Sequence, residues 1–150
     1  MRSASLAFLA ALVLVAGCSS DNLYDPQKFF PGKDAHGWND CQSKFGPPPG
    51  TATQICATLN FPPGSAVPTS YDMAYFLPET QHVLLVVYDE HAIWVRTLLD
   101  QDVPANPDNN RFYPISWDFT DAAGRRVKSG DYRLYFRAGD YITSSDVAVP

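Results

Sequence analysis

The sequence has little positive charge and only one long apolar run, and these shortages exclude several classes of protein. Lysine and arginine number 11 against 16 aspartates and glutamates, which gives a net charge of -5 at pH 7. An acidic balance argues against a nucleic-acid-binding protein, because such proteins need a basic surface. The apolar run from Leu6 to Ala16 is shorter than the roughly 20 residues of a membrane-spanning helix. We therefore expect no spanning helix and no nucleic-acid partner.

Catalytic and metal-binding motifs are also missing from the sequence. It contains no nucleophile elbow, glycine-rich phosphate loop or HExxH pattern. His82 opens one predicted strand and His91 lies beyond its far end, too distant to share a metal. The sequence therefore predicts no enzyme, no cofactor and no metal. One group of oxygen-bearing side chains leaves calcium binding open as an alternative, although it lacks the ordered spacing of a calcium loop. The group consists of Asp100, Asp102, Asn106, Asp108 and Asn109.

Cysteine is scarce, and the first of the three cysteines has an informative position. Cys18 ends the run Val15-Ala16-Gly17-Cys18, behind an apolar stretch and the single positive charge of Arg2. This arrangement resembles a bacterial lipobox, in which small residues precede the cleavage point. The resemblance implies a signal peptide over residues 1–17 and a lipid on Cys18 that anchors the mature chain to the membrane. Ser19, which follows Cys18, implies sorting to the outer membrane. The alternative to a lipobox is an ordinary secretory signal in which Cys18 is incidental.

Cys41 and Cys56 are the two cysteines that remain after Cys18. An even pair on the oxidising side of a bacterial membrane predicts a disulfide. Two thiols do not make a zinc site, and His36 lacks the spacing that such a site needs.

Proline is abundant before residue 70, where eight of the 13 prolines lie. We expect no helix or long strand at that density. A solvated linker has no reason to carry large aromatic side chains, yet this segment holds Tyr24, Phe29, Phe30, Trp38, Phe45 and Phe61. We therefore expect residues 18–69 to form a lipidated, irregular segment that contains the disulfide and packs partly against the domain that follows.

Residues 70–150 have a different pattern, in which short strands alternate with turns. Spacing of this kind without a helical period favours an antiparallel β-sandwich. Pro114 indicates that its strand lies at a sheet edge. In one strand Tyr132, Leu134 and Phe136 share a face, opposite Arg133, Tyr135 and Arg137. The predicted strands run from Tyr71 to Leu77, His82 to Tyr88, Ala92 to Leu99, Arg111 to Asp118, Asp131 to Ala138 and Tyr141 to Val149.

Several short motifs follow these strands and turns. In chain order they are Leu77-Pro78-Glu79, Val83, Leu85, Val87-Tyr88-Asp89, Val95-Arg96-Thr97-Leu98, Trp117-Asp118, Asp121, Gly124-Arg125-Arg126-Val127, Ser129-Gly130 and Tyr132. Together they resemble the immunoglobulin-like domain of FlgD, the flagellar hook-capping scaffold. The resemblance covers residues from about Tyr71 onward and implies an immunoglobulin-like or fibronectin-like sandwich of about seven strands without catalytic machinery. We expect Trp117 to fill the space between the sheets, and Asp118, Asp121 and Gly124 to shape a turn.

Two turn positions depart from that family. Ala92 stands where the family usually has glycine, and Phe119 replaces the glycine that follows Trp-Asp. We expect both turns to be reshaped.

Three apolar residues, Leu84, Val86 and Trp94, stand at positions that are usually polar and outward in the family. If Val87 pairs with Val95, all three share the outer face, whereas a register shifted by one buries Trp94. We favour the first register. An apolar stripe on an outer face needs a cover, and the proline-rich amino-terminal segment is the nearest one.

These observations favour a non-catalytic lipoprotein of the bacterial envelope, anchored by its lipid in the outer membrane. Its immunoglobulin-like module is expected to act as an assembly or adaptor piece that binds a protein partner. The alternative is a module that binds envelope glycan through outward aromatic and cationic side chains. The basic residues near the carboxyl end, Arg125, Arg126, Lys128, Arg133 and Arg137, fit either a solvated hairpin or an anionic polymer site. The predicted interaction surface consists of Leu84, Val86, Trp94, Arg133, Tyr135 and Arg137.

Overall fold

The computed structural model describes residues 38–41, 52–106 and 112–150. In these ranges the chain forms strands and no helix. The strands are β1 (Asn39–Asp40), β2 (Gln54–Asn60), β3 (Ser70–Phe76), β4 (Gln81–Asp89), β5 (Trp94–Val103), β6 (Tyr113–Trp117), β7 (Gly130–Ala138) and β8 (Tyr141–Val149). Cys18, the predicted signal peptide over 1–17, and Asp108 and Asn109 lie outside the described residues.

The strands form two four-stranded sheets that pack as a sandwich. The first sheet has the order β1-β2-β3-β6 and the second has the order β5-β4-β7-β8. All pairs are antiparallel except β1 with β2. The predicted all-β sandwich of about seven strands is therefore confirmed, with β1 as a short eighth strand. Pro114 lies in β6, which is an edge strand of the first sheet as predicted.

The core lies between the inner faces of the two sheets. Trp117 is fully buried, and its ring packs edge-on against Phe119 and Tyr132 with centroids 5.2 and 5.3 Å away. Its indole Nε1 donates a hydrogen bond to the Thr120 carbonyl oxygen at 2.9 Å, so no polar atom of the ring is left unsatisfied. The second sheet contributes Val83, Leu85, Val87, Leu134 and Phe136, which are also fully buried. Trp117 thus fills the space between the sheets, as the sequence predicts.

β2 and the end of β5 differ most from the sequence prediction. β2 is a seven-residue strand in the proline-rich segment, where no long strand was expected. Its register with β3 is continuous from Gln54 to Asn60, because the prolines flank this stretch and do not interrupt it. β5 extends to Val103 instead of ending at Leu99. The added residues Asp100 to Asp102 are exposed on an edge strand, so their polarity resembles that of a loop.

The disulfide between Cys41 and Cys56 is present, as predicted. It joins the residue after β1 to the third residue of β2, whose side chain is 1% exposed. Asp40 and the Cys41 amide both bond to the hydroxyl of Thr58, which adds to this attachment. β1 is thereby held at the edge of the first sheet.

The register of β4 with β5 differs from the favoured one. Val87 pairs with Arg96, and Tyr88 pairs with Trp94. Two irregularities, between Leu85 and Val86 and between Val87 and Tyr88, each add one residue to β5. These bulges place Trp94 on the outer face although the predicted pairing of Val87 with Val95 is wrong.

Both turns that depart from the family use left-handed backbone. Ala92 has φ +61° and Phe119 has φ +57°, values that favour glycine. The turn at Ala92 is closed by its own amide, which donates to the Asp89 carbonyl oxygen at 3.0 Å. Phe119 is fully buried in the core, which offsets the cost of its conformation.

Candidate functional site

The six residues of the predicted interaction surface lie on one face of the second sheet. In the pairing between β4 and β7, Leu84 is opposite Arg137, Val86 is opposite Tyr135, and Tyr88 is opposite Arg133. Trp94 joins them through its pairing with Tyr88. Since opposite residues of paired strands share a face, all six point away from the core, as the sequence predicts.

Trp94 is more exposed to solvent than most of these six residues. Trp94 is 50% exposed, whereas Leu84, Val86, Arg133 and Tyr135 are at most 6% exposed. These four residues therefore offer little accessible surface, and an interaction role for them stays a prediction. Leu84, Val86, Tyr88 and Tyr135 instead form a second hydrophobic cluster, separate from the core between the sheets. We call these four residues the outer cluster.

The cations on this face are engaged in local contacts. Arg133 forms a two-pronged ion pair with Asp146 of β8, with Nε to Oδ1 at 2.5 Å and NH2 to Oδ2 at 2.6 Å. The hydrogen bonds to Asp146 raise the pKa of the guanidinium, so Arg133 stays charged. Arg137 donates through Nε to the Gly139 carbonyl oxygen at 3.0 Å. Neither arginine is arranged as an open anion site.

Trp94 contributes instead to an open cleft at one end of the sandwich. The cleft has a volume of about 650 Å³. It lies between the start of β5 and the connection from β6 to β7, and its lining residues include Asp89, Trp94, Val95, Asp121, Arg125, Arg126, Val127, Lys128 and Tyr132. We call it the hairpin cleft. Ile93, 62% exposed, adjoins Trp94 in the chain, so two large apolar side chains stand together at the surface.

The walls of the hairpin cleft are fixed by local hydrogen bonds. The Trp94 indole Nε1 donates to the Thr97 hydroxyl at 3.1 Å, which orients the ring. The Ala122 amide donates to the Val95 carbonyl oxygen at 3.2 Å, which ties the long connection to β5. The Tyr132 hydroxyl donates to the Lys128 carbonyl oxygen at 2.9 Å.

Charged side chains of both signs line the cleft. Asp121 accepts hydrogen bonds from the Arg125 and Ala123 amides and an ion pair from the Arg125 guanidinium, and these contacts lower its pKa. The Arg126 guanidinium lies 4.9 Å from the centre of the Phe119 ring. Lys128 and Arg126 therefore present positive charge beside Trp94, while the charge of Arg125 is matched by Asp121.

The acidic side chains considered for calcium have other roles. His82 Nδ1 lies 2.8 Å from Asp102, and its Nε2 lies 2.8 Å from Asp100. Asn106 is 8% exposed, and its Oδ1 accepts a hydrogen bond from the Leu77 amide at 2.7 Å. These contacts hold two strands and a loop together. Across residues 38–41, 52–106 and 112–150, no group of three or more histidine, cysteine, aspartate or glutamate side chains is arranged to hold a metal ion.

Sequence reasoning identified Trp94 and the basic residues after Gly124 but did not place them together. The missing information was the bulged register of β5, which sets the direction of the Trp94 ring.

Comparisons with known proteins add little. No protein-family model and no curated protein matches the chain. One solved structure to which it is similar is the crystal structure of dimeric latent PorU from Porphyromonas gingivalis, at 20% identity and a TM-score of 0.44. The match covers 66% of this chain and spans only 9% of that one. Within its described ranges, the protein has no helix long and apolar enough to cross a membrane.

Proposed function

We propose that the protein is a non-catalytic lipoprotein of the bacterial envelope whose sandwich binds a protein partner as an assembly or adaptor piece. The proposal combines the lipobox-like sequence at Cys18 with the motifs that resemble the FlgD immunoglobulin-like domain. The lipid would hold the chain at the outer membrane, and the sandwich would present the docking surface.

The observation that carries the docking proposal is the exposed pair Ile93 and Trp94 at the start of β5. They are 62% and 50% exposed, and tryptophan is enriched among residues that dominate binding energy in protein interfaces. Among the described strands β5 lies at the edge of the second sheet, and apart from Val95, which bonds to Ala122, an edge strand can offer backbone groups to a partner strand. Large apolar side chains beside such an edge strand fit a protein partner.

Site-specific photo-crosslinking in the source bacterium tests this proposal. A photoreactive phenylalanine analogue at Ile93 should yield one discrete adduct with another envelope protein. The matched control is the same analogue at Val67, which is 52% exposed and lies outside β5. Equal patterns at the two positions, or no adduct at Ile93, would count against a docking role.

A second candidate function, binding of an anionic envelope glycan, is favoured by the hairpin cleft. An exposed tryptophan beside Arg126 and Lys128 provides a stacking surface and positive charge for an acidic sugar. If this function holds, the purified chain should be retained on peptidoglycan, and Trp94→Ala and Lys128→Ala should each abolish retention. Phe61→Ala, at an aromatic residue 49% exposed outside the cleft, is the control. Such retention without a protein adduct at Ile93 would favour the glycan function over the adaptor.

A further inference from the structure

The strands at the sheet edges differ in how well they resist pairing with a strand of another molecule. Among the described strands, β1 and β6 are the edges of the first sheet, and β5 and β8 are the edges of the second. β1 has two residues, and β6 carries Pro114, which has no backbone N–H to donate. β5 contains two bulges and exposes Asp100 and Asp102, and its Val95 carbonyl oxygen already accepts a hydrogen bond. Each of these three strands therefore carries a feature that limits pairing with another sheet along its full length.

β8 lacks the features that protect the other three edges. It is nine residues long, contains no proline, lysine or arginine, and pairs with β7 over all nine residues without a bulge. Its one charged residue is Asp146, whose carboxylate forms the two-pronged ion pair with Arg133 of β7. A long, regular edge strand whose charge is already paired is the kind that accepts a strand from another chain.

The hairpin between β7 and β8 shows which backbone groups of β8 point away from β7. Gly139 and Asp140 form a two-residue turn, and Ala138 and Tyr141 flank it as the last pair of the two strands. The residues that flank such a turn bond to each other, and bonded and non-bonded pairs alternate from there along the strands. The backbone N–H and C=O groups of every second residue after Tyr141 therefore point away from β7. These residues are Ile142, Ser144, Asp146 and Ala148.

We propose that β8 pairs antiparallel with β8 of a second copy of this chain, so that the second sheets of the two copies join edge to edge. A two-fold axis at Ser145 places Ile142 opposite Ala148 of the other copy. The same axis places Ser144 opposite Asp146 of the other copy. In this register each outward-pointing residue meets a residue that also points outward. An axis at Ser144 or at Asp146 would leave one of them opposite a residue beyond the end of β8.

The side chains of β8 fit a copy of the same strand. Asp146 faces Ser144, whose hydroxyl can donate to the carboxylate, so like charges are not directly opposite. Ile142 is 46% exposed, and it faces the methyl group of Ala148, which removes apolar surface from water. On the core-facing side, the Trp38 amide and indole donate to two hydroxyls of β8, so the strand is already ordered before it pairs.

Crosslinking between two differently tagged copies of the full chain tests both the strand and its register. One copy carries Ile142→Cys, the other carries Ala148→Cys, and a short bifunctional maleimide joins their thiols. Because these positions are opposite each other in the proposed register, a product that contains both tags should form. The matched control has Ile142→Cys in both copies, where six residues, about 20 Å along the strand, separate the thiols. Its product should be about tenfold less abundant or rarer, and copies without an added cysteine give the background.

Three results of this experiment would overturn the proposal. They are equal yields from the matched pair and the control pair, no product that contains both tags, and a product that joins Ile142→Cys only to a different protein. The last result would assign β8 to another envelope partner.

A second measurement changes the edge without adding a thiol. Ile142→Lys places a charge on an exposed side chain of β8, and lysine on an edge strand discourages pairing. Analytical ultracentrifugation of the full chain in detergent should show a dimer, whose dissociation constant Ile142→Lys raises about tenfold or more. Val67→Lys, at a residue 52% exposed outside the strands, is the control and should leave the dissociation constant unchanged.

An unaltered chain that is monomeric at every concentration, or a dimer that Ile142→Lys and Val67→Lys affect equally, would overturn the proposal. Neither measurement uses Ile93, Trp94 or an envelope partner. A failure here is therefore distinct from a failure of the adaptor function.

Discussion

His82 shows how a single exposed side chain links two strands of this sandwich. Its two ring nitrogens each lie 2.8 Å from a carboxylate of β5, Asp102 and Asp100. These hydrogen bonds, with Asp102 first, raise the pKa of His82 above its ordinary value of 6.5. The imidazolium is therefore favoured in the folded chain relative to the unfolded chain.

The stabilisation from His82 should depend on pH in a defined direction. A raised folded-state pKa stabilises the fold fully below the unfolded pKa and loses this contribution as pH rises through the folded pKa. The free energy of unfolding lost in His82→Gln should therefore be larger at about pH 5.5 than at about pH 8.5. Urea denaturation of both proteins at the two pH values measures this, with His91→Gln as the control for loss of an exposed histidine. A loss that is the same at both values would contradict the expectation.

At the scale of elements, β1 depends on a covalent link more than on pairing. It has two residues, and within the described ranges its strand pairing is limited to Cys56 and Ala57 of β2. The disulfide from Cys41 to Cys56 closes a loop with a sequence separation of 15. The aromatic ring of Trp38, just before β1, stacks on Tyr71 at 6.5 Å and lies beside β8. Loss of the disulfide should therefore also loosen the contact between the sheets at this margin.

Removal of both sulfur atoms in Cys41→Ala/Cys56→Ala should lower the free energy of unfolding by about 3 kcal/mol, the value expected for a closed loop of this length. Urea denaturation without reductant measures the change. Reduction of the unaltered protein should produce a similar loss, and reduction of the double variant should have no further effect. A double variant as stable as the unaltered protein would show that the disulfide does not hold β1.

The elements show which parts of the fold were predictable from sequence. Strands such as β7 were predicted correctly. In β7 the residues Tyr132, Leu134 and Phe136 alternate strictly with polar neighbours, so the sequence shows which face lies against the core. β2 was missed because its surroundings are rich in proline, although Gln54–Asn60 itself contains none. The end of β5 was missed because an edge strand tolerates exposed carboxylates such as Asp102.

The candidate site was less predictable than the fold. The shared outer face of Leu84, Val86 and Tyr135 follows from alternation, but alternation does not predict that these residues are buried. The hairpin cleft depends on two bulges in the pairing of β4 with β5. A bulge shifts register by one residue without a clear sequence signal, so the neighbours of Trp94 were not predicted.

At the scale of the whole molecule, the proposals describe a sandwich held close to a membrane. The exposed pair Ile93 and Trp94, at the start of β5, would remain available to an envelope partner.

Lipidation of Cys18 is the claim on which this arrangement depends, and metabolic labelling with an alkyne-bearing fatty acid tests it most directly. The full chain should incorporate the label and fractionate with membranes. Cys18→Ser should remove the label and leave the protein unprocessed, because the lipid is attached through sulfur. A full chain that carries no label, or a Cys18→Ser protein that is processed and fractionates as before, would contradict the account.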